Sequence, residues 1–143
     1  MRIIQATIGM LCLALLVGGC SGGGPFDTAP VTGKVLYKGK PLSYGSINFR
    51  PKAGSPAFAK IGSDGTFSLS TYGDNDGAIV GPHDVLIKAT EVDAGKAPVN
   101  ESGIENPVSK SVIPKKYTSF ATSGLTAEVV AGSENDFVFE LEE

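Results

Sequence analysis

The 143-residue chain has no tryptophan, one histidine and two cysteines. With a single histidine, His83, any Ser-His or Cys-His nucleophilic system would have to use that residue as its base. The patterns G-x-S-x-G, H-E-x-x-H and C-x-x-C do not occur, which removes the common hydrolase, zinc-protease and dithiol signatures. Charge is sparse: 12 Lys and Arg against 15 Asp and Glu give a net −3, so nothing attracts nucleic acid. Long apolar runs are also missing. The stretch Ile3 to Val17, broken by Gln5 and Thr7, falls short of the roughly 20 residues that span a hydrocarbon core.

That short run has another reading. Met1 and Arg2 supply a minimal positive start, the apolar stretch follows, and Gly18 and Gly19 close it, which is the pattern of a cleaved signal peptide over residues 1–19. Cys12 leaves with the peptide, so the mature chain keeps one cysteine, Cys20. Without Arg2 the mature charge becomes −4. Leu16, Val17, Gly18, Gly19 and Cys20 resemble a bacterial lipobox, with Val17 where leucine is commonest and Gly18 where alanine or serine is usual. The resemblance implies that the Cys20 thiol is acylated. Several acyl chains at about 0.8 kcal/mol per buried CH2 hold a protein stably to a bilayer. Residues 20–29, rich in glycine, then read as a flexible tether, and Ser21 after the cysteine favours outer-membrane sorting.

From Val31 onward, glycines and prolines punctuate short segments of alternating polarity, which predicts strands and tight turns rather than helices. Val31, Val35 and Tyr37 share one face, as do Ile47 with Phe49 and Phe67 with Leu69. Val85, Ile87 and Ala89 continue the pattern, followed by Leu125, Ala127 and Val129, then Phe137, Phe139 and Leu141. With a weaker segment at Ala57 to Ile61, seven short strands predict an all-β domain over residues 30–143: a seven-stranded antiparallel β-sandwich. Residues 90–124 read as a long polar insertion, partly ordered by SVIPKKY.

The run VTGKVLYKGKPLSYGSINFRP, with SDGTFSL and GPHDVLIKA after it, resembles the carboxypeptidase regulatory-like, or transthyretin-like (prealbumin-like), domains. The matching positions are Val31, Gly33, Val35, Gly39, Pro41, Leu42, Asp64, Gly65 and Phe67, then in part Gly81, His83 and Val85. IPKKY, TSGLTAEVVAG and FVFEL resemble small planctomycete-type lipoproteins of that architecture. The resemblance implies an exported, usually noncatalytic domain at the cell envelope. Fold alone does not assign an activity.

Three sets of residues are candidates for function. Asp74, Asn75 and Asp76 in GDNDGA present hard oxygen ligands suited to calcium, though such clusters also make plain turns. Tyr72, Tyr117 and Phe120 lie in polar stretches, where rings stack on sugars or anchor a protein partner, or else cover an open end of the domain. His83 is the base of the competing reading, a small envelope hydrolase or accessory subunit. The preferred expectation is a membrane-anchored, noncatalytic module that binds an envelope protein or glycan and needs no cofactor. Asn100 in NES matches a glycosylation sequon, and Lys115 with Lys116 reads as a solvated turn.

Overall fold

The computed structural model describes residues 24–93 and 108–143. The segment 1–19 read above as a signal peptide, Cys20 and the sequon at Asn100 lie outside the described residues. The fold is all-β, with no α-helix among the described residues and one 3-10 turn at Lys115–Thr118. Its strands are β1 (Thr28–Ala29), β2 (Val31–Tyr37), β3 (Lys40–Pro41), β4 (Ser46–Pro51), β5 (Ala57–Lys60) and β6 (Thr66–Ser68). They continue with β7 (Ala78–Ile79), β8 (Gly81–Lys88), β9 (Thr90–Asp93), β10 (Val108–Ser111), β11 (Leu125–Val129) and β12 (Asn135–Leu141). Every segment predicted from alternation carries a strand, and five further short strands join them.

One four-stranded sheet runs β11-β8-β4-β5, all antiparallel. In the other, β2 lies at the centre, with β12 on one side and β3 and β6 sharing the other. Here the expectation of antiparallel pairing needs correction: β2 and β12 run parallel, from Val31 opposite Asn135 to Tyr37 opposite Leu141. Alternation fixes which face a residue occupies and is the same for either strand direction. The two strands also lie far apart in the chain, so no hairpin turn dictates their sense.

The sheets meet across an aromatic cluster. Phe49 on β4, fully buried, has ring centroids 6.4 Å from Phe67, 5.9 Å from Phe137 and 5.9 Å from Phe139, all on the opposite sheet. Val31, Val35, Leu69, Val85, Ile87 and Leu141 fill the space around it. Burial of this kind stabilises by about 25 cal/mol per Å² of apolar surface. No disulfide is present among the described residues, so packing carries the fold.

The expected tether is shorter than its glycine content suggests. β1 pairs with β7, the Val80 N–H donates to the Asp27 carbonyl, and the Gly24 backbone lies against the Tyr72 ring, where a Cβ would collide. Residues 24–29 therefore belong to the folded body. Because β1 leads into β2 and β7 into β8, both sheets begin at this entry end. The insertion is ordered at both margins: β9 pairs with β10 antiparallel at the far end, and Ile113 and Tyr117 are buried.

Candidate functional site

At the far end, the β2–β3 hairpin turns through Lys38 and Gly39, both at positive φ of 51° and 75°. Such a two-residue turn matches the twist of paired strands, and glycine suits it, whereas lysine at positive φ is uncommon. The strain places an ammonium group at the tip. Beside it lies a groove of about 500 Å³ lined by Tyr37, Lys38, Lys40, Pro41, Tyr44 and Val112, with Leu42 and Ser43. The Tyr44 hydroxyl donates to Glu91 of β9 at 2.8 Å, joining the hairpin to the insertion. That bond, more than the Glu91 charge and partial burial, pushes the phenol up from its usual 10.0. Lys38 pairs with Glu143 and lies 5.3 Å from the Tyr37 ring. The groove thus offers two tyrosine rings, an apolar floor and, with Lys38 engaged by Glu143, the Lys40 ammonium group.

A second, smaller groove of about 230 Å³ opens beside β4, β8 and β11, lined by Arg50, Asp84 and Glu128 and also by the inward residues His83 and Ala127. Arg50 donates to Asp84 at 2.8 Å and lies 4.2 Å from the Phe120 ring, so its guanidinium already has partners on two sides. An exposed pair of this kind contributes about 0–1 kcal/mol.

The structure separates the residues singled out from the sequence. Tyr117 is buried; its hydroxyl donates to the Glu142 carbonyl at 3.1 Å and accepts from the Glu142 N–H at 3.0 Å. Tyr117 locks the 3-10 turn to the C-terminal end of β12, with its hydroxyl engaged both as donor and as acceptor. Tyr72 packs beneath Gly24, and its hydroxyl is buried with no hydrogen-bond partner among the described residues. Phe120 faces Arg50. The three aromatics share no site.

The Asp74-Asn75-Asp76 turn closes on itself. Asp76 accepts from the N–H groups of Thr71 at 2.7 Å, Tyr72 at 2.9 Å and Gly73 at 2.9 Å. Partial burial pushes its carboxyl up, but these donors outweigh that and hold it below the usual 3.8. The Ser70 hydroxyl accepts from the Asn75 N–H, and Asn75 takes φ 54°. Asp76 thus closes the loop through three backbone N–H groups. No group of three or more His, Cys, Asp or Glu side chains converges among the described residues.

His83 is 3% exposed, on the core-facing side of β8, with its ring 5.7 Å from Phe49. Nδ1–H donates to the Gly81 carbonyl at 2.9 Å, which leaves the Nε2 lone pair buried and unpartnered among the described residues. Burial pushes its pKa below the usual 6.5, against the opposing pull of the Gly81 carbonyl, Glu128 and Asp84. The imidazole is a neutral core ring.

The sequence points weakly to the far-end groove. KGKP reads as a turn and Tyr37 as an inward residue; tyrosines on either side of a lysine-bearing hairpin were the available signal. Its formation also depends on Glu91 and Val112, distant in the chain. No protein-family model matches the chain, and no curated protein matches it. Among solved structures it is similar to a 9R-lipoxygenase from Cyanothece at 10% identity and a TM-score of 0.33. The likeness covers 80% of this chain and 16% of that one, and at this level it carries no argument.

Proposed function

We propose that the protein is an exported, lipid-anchored module of transthyretin-like β-sandwich architecture, acylated at Cys20, that binds a partner at the cell envelope without chemistry of its own. The observation that carries this reading is the polarity of the molecule. The chain enters at one end of the sheets, while the tyrosine and lysine groove opens at the other. An anchor on Cys20 would leave that groove facing away from the membrane. Its lining favours a polysaccharide with acidic groups, since rings offer stacking surfaces and Lys40 has no ion-pair partner among the described residues. The competing hydrolase reading loses support because the His83 ring, though it borders the smaller groove, is only 3% exposed and packs against Phe49.

A glycan array probed with the detergent-solubilised protein tests the binding reading. Acidic polysaccharides should be retained by the wild type and lost by a Lys40→Ala, Tyr44→Ala double variant. Equal retention by both proteins, or retention of no glycan by the wild type, would refute the groove as the binding site.

A further inference from the structure

We propose that the entry end of the domain rests directly on the bilayer, with Phe26, Val80 and Val130 forming its membrane-facing contact. This rests on the acylated Cys20 of the proposed function. The first constraint is covalent. Gly24 is fixed against Tyr72, and four residue steps separate it from Cys20, which at full extension of about 3.6 Å each reach at most about 14 Å. A lipid-bearing Cys20 cannot hold this end farther from the headgroups than that.

The second observation is what the end displays. Phe26, Val80 and Val130 are 41%, 37% and 49% exposed. The Val80 N–H bonds to the Asp27 carbonyl, next to Phe26, and the Phe26 ring lies beside Ile79 around Gly54. Val130 follows Val129, which is opposite Gly81, the residue after Val80. All three residues therefore lie at the entry end of the domain, the end from which the chain runs back to Cys20. Three partly exposed side chains are too little to hold a protein on a membrane alone, but the anchor makes their contact intramolecular.

The absence of tryptophan makes the test direct, because each substitution introduces a single fluorophore. Purified acylated F26W, V80W and, at the far end, Y44W are reconstituted in phosphatidylcholine vesicles with and without brominated acyl chains. Intact mass is measured on each preparation. The proposal predicts blue-shifted emission and about a twofold loss of fluorescence on bromination for F26W and V80W, with Y44W unchanged. Acylated protein in which all three respond alike, or none responds, overturns the membrane contact and leaves the anchor standing. Blue-shifted emission without quenching means a second copy covers the patch and likewise overturns it. A mass without fatty acid overturns the anchor itself and the proposal with it.

Discussion

Burial of His83 with one ring nitrogen unpartnered gives the molecule a pH-sensitive core position. In the unfolded chain the imidazole titrates near its ordinary 6.5, and in the fold it titrates lower. Below pH 6.5 the unfolded state takes up a proton that the folded state refuses, so stability falls as pH drops from 6.5 through the folded value. His83→Phe should stay within about 1 kcal/mol of wild type at pH 7, since an apolar ring removes the buried unpaired atom. Its unfolding midpoint should also lose the dependence that sets in as pH falls below 6.5; an unchanged slope in denaturant titrations would place the dependence elsewhere. Asp76 acts at lower pH. Its depressed pKa contributes stability that is present above 3.8 and lost as pH falls through the folded value. Asp76→Ala strands three N–H donors and should cost about 2–4 kcal/mol, while calcium should leave the wild-type thermal midpoint unchanged.

Among the elements, β12 joins the chain's two ends through its parallel pairing with β2, and Tyr117 secures its terminus. Tyr117→Phe should cost about 1 kcal/mol, read as a shift in denaturant midpoint, because it removes two hydrogen bonds and keeps the ring. Phe49→Ala should cost about 3–5 kcal/mol, because it empties the point where four other aromatic rings converge. Alternation made the inward faces legible: Val31, Val35, Ile47, Phe49, Val85, Ile87 and Leu141 are all buried as predicted. Strand direction was not legible, because period-two patterning carries no sense of polarity. The role of Asp76 was hidden for a related reason, since the same Asp, Asn and Gly residues serve an ion or their own backbone. Residues 24–29 were masked by composition; their glycine and proline content looks like linker, yet β1 finds an edge on β7.

At the scale of the whole molecule, the account depends on orientation: a chain held at its entry end, with the Tyr37–Tyr44 hairpin region at the other. Lysine at the strained Lys38 position fits this division, because a turn optimised for stability alone would carry asparagine or glycine there. All of it follows from the fate of Cys20. Intact mass of the protein extracted from membranes tests that most directly. The account predicts a chain beginning at residue 20 and heavier than its amino acids by the acyl groups. A chain retaining residues 1–19, or one with an unmodified Cys20 thiol, would contradict it.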